Sequence, residues 1–151
     1  MLQLAVFLPV IAMFFIPFLR KNFKNIHTGK FVIIVPLILF GYFVSNIKYI
    51  YSGGTIYKKL AFVSNAGLDI NLNLDGLSLL FSLLITGIGT LVILYSCYYM
   101  NISDEKLHKF YIFLLIFMSA MLGVVLSDNM LSMYMFWEMT SVSSFLLISY
   151  W

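Results

Sequence analysis

Apolar runs of about twenty residues follow one another along almost the whole chain, parted by short segments where most of the charges collect. A helix of about 20 mainly apolar residues crosses the ~30 Å hydrocarbon layer of a bilayer. The runs predict five spans, at residues 2–19, 31–50, 75–100, 110–126 and 130–151. Composition closes off the soluble alternative. Of 151 residues 62% are hydrophobic and 10% charged, where an ordinary globular chain carries about 25% charged residues. Polar surface on that scale cannot cover a water-facing exterior. The fold class is an all-α integral membrane protein.

The first span is not a secretory signal. It leads with the uncharged Met1, Leu2 and Gln3, and the positive cluster Arg20, Lys21, Lys24 follows, the reverse of the signal-peptide order. An N-terminus outside puts the 20–30 and 101–109 loops inside. These hold Arg20, Lys21, Lys24, Lys30, Lys106 and Lys109, against Lys58, Lys59 and the nearby Lys48 on the other face. That bias agrees with the preference of Lys and Arg for cytoplasmic loops. The net charge of +3 therefore reads as loop anchoring. No basic stripe alternates with exposed aromatics, as a nucleic-acid surface requires.

Between the second and third spans, Leu68 to Leu74 alternates strictly between apolar and polar residues, the period of a half-buried strand. Thr55 to Ser64 supplies a partner, which predicts a short hairpin on the outer membrane surface. Asp75, ahead of Gly76-Leu77-Ser78, is placed to cap the third helix, because a carboxylate at that position accepts from orphan amide N–H groups. Ser127-Asp128-Asn129 has turn composition.

Glu138 is the acidic residue within the spans that matters most, about 12 Å into the fifth at 1.5 Å per residue. Placing a charge at that depth costs about 2.5–3.5 kcal/mol even on the lenient insertion scale. Burial raises a carboxylate's pKa and a nearby cation lowers it, so a balanced group takes up and releases protons. The structural alternative is a protonated carboxyl that hydrogen-bonds a neighbouring helix. Tyr134, Ser141 and Ser149 fall on the same side of the helix as Glu138, which predicts a buried polar face. Ser78, Ser82, Thr86 and Thr90, like Ser119, Gly123 and Ser127, recur every four residues. That spacing lets helix backbones approach. Cys97, a lone thiol, and the isolated His27 and His108 predict no metal site. No cofactor motif and no soluble catalytic motif is present.

Three blocks taken together, LDGLSLLFSLLITGIG at 74–89, GVVLSDN at 123–129 and FWEMTSVSSFLLISYW at 136–151, resemble the N-terminal part of the A subunit of the Mrp (Mnh) multisubunit sodium/proton antiporters. That family is itself similar to the proton-pumping membrane subunits of respiratory complex I. The resemblance implies a multi-pass chain of a bacterial cell membrane. It also implies sodium extrusion coupled to proton uptake, other antiporter subunits as partners, and Glu138 as an essential proton-transferring residue. Met139 stands where leucine is more usual, a swap of similar apolar volume. Family subunits are several times longer and complete the ion path with buried lysines on later helices, so the resemblance implies an incomplete transporter here. A membrane-arm subunit of an NADH-quinone oxidoreductase, and a helical scaffold that moves no ions, remain open as alternatives.

Overall fold

A computed structural model describes residues 2–22, 28–63, 68–100 and 107–149. Lys24, His27, Asp104, Glu105, Lys106 and Trp151 lie outside the described residues. The elements in chain order are α1 (Leu2–Asn22), α2 (Gly29–Val32), α3 (Ile34–Tyr51), β1 (Ile56–Val63), β2 (Leu68–Leu74), α4 (Gly76–Tyr99), α5 (Leu107–Leu126) and α6 (Met130–Ile148). The described residues are mostly helical, with one two-stranded sheet.

Among the described residues, four stretches are long and apolar enough to cross a membrane: Gly29–Tyr51, Gly76–Tyr99, Leu107–Leu126 and Met130–Ile148. The first of the five expected spans falls within α1, Leu2–Asn22, whose described apolar stretch is Leu2–Phe18. The second span is broken near its start, between α2 and α3. Pro36 has no N–H, so the Val32 carbonyl loses the donor a regular helix would give it four residues later.

Short connections make neighbouring helices antiparallel, and α5 lies at the centre, packed on α1, α4 and α6, while α3 packs on α4. The core contains Val6, Phe43, Ile93, Tyr111, Leu115, Leu122 and Leu126. Two glycines set the helix separations. At Gly123 of α5 a Cβ would run into the ring of Phe136 of α6. At Gly29 a Cβ would run into the Tyr111 hydroxyl and the Cys97 thiol. Only a residue without a side chain permits either approach.

The hairpin is antiparallel, with Ile56 opposite Leu74, Lys58 opposite Leu72 and Leu60 opposite Ile70. The period-two pattern of β2 has its physical cause here. Leu72 and Leu74 are fully buried, while Asn71 and Asn73, which alternate with them, are half-buried. The hairpin closes one end of the bundle. Leu72 bridges Ser127, the Asp128 N–H donates to the Asn71 carbonyl at 2.8 Å, and the Gln3 side-chain amide donates to the Lys59 carbonyl at 3.4 Å.

Candidate functional site

The α6 helix begins at Asn129, whose side-chain oxygen accepts from the Leu131 N–H at 3.1 Å. This cap fixes where the helix starts and thus how deep Glu138 sits, two turns in. The helix is held to α5 by a narrow seam of Ser132, Phe136 and Ser143, the buried residues on it. Glu138 is two residues past Phe136, about 200° around the axis. The seam and the carboxylate are therefore on opposite sides.

The described helices do not cover the polar face expected at Tyr134, Glu138, Ser141 and Ser149. Glu138, Ser141 and Ser149 are exposed, and Tyr134 is 61% exposed. Tyr134 and Glu138 do come together, one turn apart, with the carboxylate accepting from the phenol. The hydroxyls on α6 serve the helix itself. Thr140 donates to the Trp137 carbonyl at 2.6 Å, Ser143 to Met139 at 2.7 Å, Ser144 to Ser141 at 2.9 Å and Ser149 to Leu146 at 3.2 Å. The physical reason is register. Phe136 fits the space that Gly123 leaves, and that choice turns the carboxylate outward.

Hydroxyls do join helices elsewhere. Ser119 of α5 donates to the Val6 carbonyl of α1 at 2.6 Å, beside the kink-prone turn that Pro9 creates. Ser96 of α4 donates to the Tyr111 hydroxyl of α5 at 3.0 Å, and the Cys97 sulfur lies 3.8 Å from the same oxygen. Tyr111 is the residue that reading the sequence missed. Its one signal is a phenol inside a run that is otherwise aliphatic and Phe-rich.

Asp75 caps α4. Its carboxylate accepts from the Ser78 N–H at 2.8 Å, while the Ser78 hydroxyl accepts from the Asp75 N–H at 2.8 Å, a reciprocal capping box. The backbone N–H of Ser78, reinforced by its hydroxyl, holds the Asp75 carboxyl below the usual carboxylate range. No group of three His, Cys, Asp or Glu side chains suited to a metal occurs among the described residues.

A helical bundle with a hairpin at one end is also found in chains of membrane complexes of known structure. The family model described as NADH-Ubiquinone oxidoreductase (complex I), chain 5 N-terminus, matches residues 61–111. Along its full length the chain is similar to the A subunits of Na(+)/H(+) antiporters. It is 56% identical over 151 residues to the A1 subunit from Staphylococcus haemolyticus, covering 100% of this chain and 19% of that protein. To the A subunit from Alkalihalophilus pseudofirmus it is 52% identical over 143 residues, 95% of this chain and 18% of that one. The chain thus spans about a fifth of the length of these relatives, which are named as transporter subunits rather than enzymes. In the Mrp complex from a Dietzia species, one chain superposes with a TM-score of 0.78 at 26% identity, over 97% of this chain and 16% of that chain. A chain of an archaeal membrane-bound sulfane sulfur reductase shares the fold, with a TM-score of 0.80 at 23% identity over 95% of this chain and 29% of its own.

Proposed function

We propose that this chain is the N-terminal part of the large membrane subunit of a monovalent cation/proton antiporter, which extrudes Na+ against H+ uptake. In this reading Glu138 is the proton-transferring residue. The observation that carries the reading is an ionisable side chain two turns inside α6 with no other described helix over it. Hydrocarbon is a costly neighbour for such a group, so intramembrane carboxylates meet protein or a water-filled path. The Tyr134–Glu138–Ser141 face is thus one side of an interface, completed by further helices of the antiporter or by its other subunits. The relatives, named as antiporter subunits and matching at more than half of all positions, support the same reading.

The chain by itself holds one wall of that path and does not transport ions alone. Its orientation follows the charge bias, with the N-terminus and the hairpin on the outer face of a bacterial cell membrane.

Glu138→Gln in the complete antiporter tests the proposal. Na+-driven proton movement in everted membrane vesicles is expected to fall on the order of a hundredfold, the usual scale for a lost proton-transfer group. The amount of assembled complex should not change, because glutamine keeps the size and hydrogen-bonding capacity of the glutamate at that interface. Unchanged exchange removes Glu138 from the mechanism. The match to a complex I family model favours a second reading, a membrane-arm subunit of an NADH-quinone oxidoreductase. Co-purification of the chain with flavin and iron–sulfur subunits would select it.

A further inference from the structure

The last three residues of the GVVLSDN block, 127–129, are the whole connection between α5 and α6, and each of them is bonded in place. The Ser127 N–H and hydroxyl both donate to the Gly123 carbonyl, at 3.1 and 2.6 Å, and close α5. Ser127 also bridges to Leu72, and the Asp128 N–H donates to the Asn71 carbonyl at 2.8 Å. The connection therefore lies along the edge of β2 opposite β1, as a short third strand. Asn129, in extended conformation, then caps α6.

The same strand holds the start of α4. Asp75, the residue that follows β2, caps that helix, and the Ser78 hydroxyl reaches back to the Asn73 carbonyl at 3.3 Å. Leu72 and Leu74 seat the strand in the core, so β2 fixes the starts of α4 and α6 against each other. Along the α5 seam the hold on α6 is of another kind. Phe136 packs against Gly123, while the Ser132 and Ser143 hydroxyls donate to carbonyls of their own segment, those of Asn129 and Met139. Packing leaves a helix room to rock or slide, whereas hydrogen bonds are directional. The bonds at 127–129 are thus what fixes the depth and rotation of α6.

We propose that the β2 edge is a positioning element for Glu138, acting through the Asp128 N–H that it binds. The role rests on the reading of Glu138 as the proton-transferring residue. From Asn129 to Glu138 is nine residues, about 14 Å of helix. A slip of α6 by one residue would move the carboxylate about 1.5 Å along the axis and about 100° around it. A misplacement of about 1 Å at a reacting group costs up to about a hundredfold in rate. The Asp128 side chain has no part in this hold, since the bond is made by the backbone and the residue is exposed. Substitution at 128 therefore removes the side chain or the N–H separately.

The test uses the complete antiporter complex in everted membrane vesicles, with rates taken per assembled complex. Asp128→Pro removes the N–H, and proline favours an extended residue before it, as Ser127 is in its bridge. The maximal rate of Na+-driven proton movement is expected to fall about tenfold, with the half-saturating Na+ concentration unchanged. Asp128→Ala, which keeps the N–H, should keep the rate. Asn129→Ala loosens the start of α6 more mildly and should lower the rate about threefold. It decides the matter if Asp128→Pro does not assemble. An unchanged rate per complex in Asp128→Pro or, failing its assembly, in Asn129→Ala would overturn the proposal. So would an equal loss in Asp128→Ala, or a rise in half-saturating Na+ that accounts for the loss. Glu138→Gln measured in parallel separates the failures. Full exchange in that variant removes the reading of Glu138 itself, whereas a loss there beside an unchanged Asp128→Pro removes only the positioning role.

Discussion

Two adjacent helices of similar length, α5 and α6, are used in opposite ways. In the apolar stretch of α5, 44% of residues are buried within the chain, against 17% in α6. The α5 helix touches α1, α4 and α6 and donates or accepts two hydrogen bonds across helix boundaries through Ser119 and Tyr111. The α6 helix, which has Glu138, leans on α5 along one seam and turns its hydroxyls back on its own carbonyls. In lipid there is little hydrophobic drive between helices, so close packing and hydrogen bonds decide which ones associate. By that measure α5 holds the bundle together and α6 is held by it. The proton-handling candidate is on the helix with the smaller buried share of the two.

Substitutions separate the two roles. The largest loss of stability is expected from Gly123→Leu, which forces the Phe136 ring out of the α5–α6 seam. Overpacking of this kind costs about 3 kcal/mol, read as a lowered unfolding midpoint of the chain in detergent. An unchanged midpoint would mean that the seam is not close-packed.

Asp75→Ala comes next, at about 1 kcal/mol for a lost helix cap. Its pH dependence has a definite sign. The carboxyl is held below its ordinary value in the fold, so its stabilisation is full above the unfolded-state pKa. It fades as pH drops through the folded value. Acid titration of wild type and Asp75→Ala should therefore converge at low pH, and parallel curves would contradict the cap.

Ser119→Ala removes the hydroxyl that bonds α5 to the Val6 carbonyl, a smaller loss of about 0.6 kcal/mol, the average for such bonds in membrane bundles. Comparing the midpoints of the two chains measures it. The smallest effect belongs to α6. Ser141→Ala, on the outward face, should shift stability by less than about 0.5 kcal/mol. A larger shift would show that the outward face of α6 supports the bundle, and would blur the contrast with α5.

Much of this was legible in the residues. The apolar runs locate the helices because the length needed to cross hydrocarbon is fixed by the rise of a helix. Alternation at Leu68 to Leu74 marks a strand because one face of it is buried, and Leu72 and Leu74 are that face. Asp75 is readable as a cap because capping depends on neighbours three residues away or fewer.

The direction of Glu138 was not legible in this way. Tyr134, Glu138 and Ser141 share a side of α6 by spacing alone, but spacing does not say whether that side faces in or out. Polar content suggested inward, as it would for a complete bundle. The side was decided by Gly123 on a different helix, whose missing side chain admits Phe136. Tyr111 was overlooked for a related reason, since its partners Ser96 and Cys97 lie on α4.

Hydropathy and short-range spacing are enough to put the chain in a membrane, to mark where its helices and hairpin begin, and to single out Glu138 as the acidic residue within an apolar helix. Each of these properties depends on contacts within a turn or two. It took the packing of separate helices to make α5 central, to turn Glu138 of α6 away from its neighbours, and to lay the α5–α6 connection against β2. Those outcomes depend on how side chains distant along the chain fill one another's gaps, and no local pattern records that.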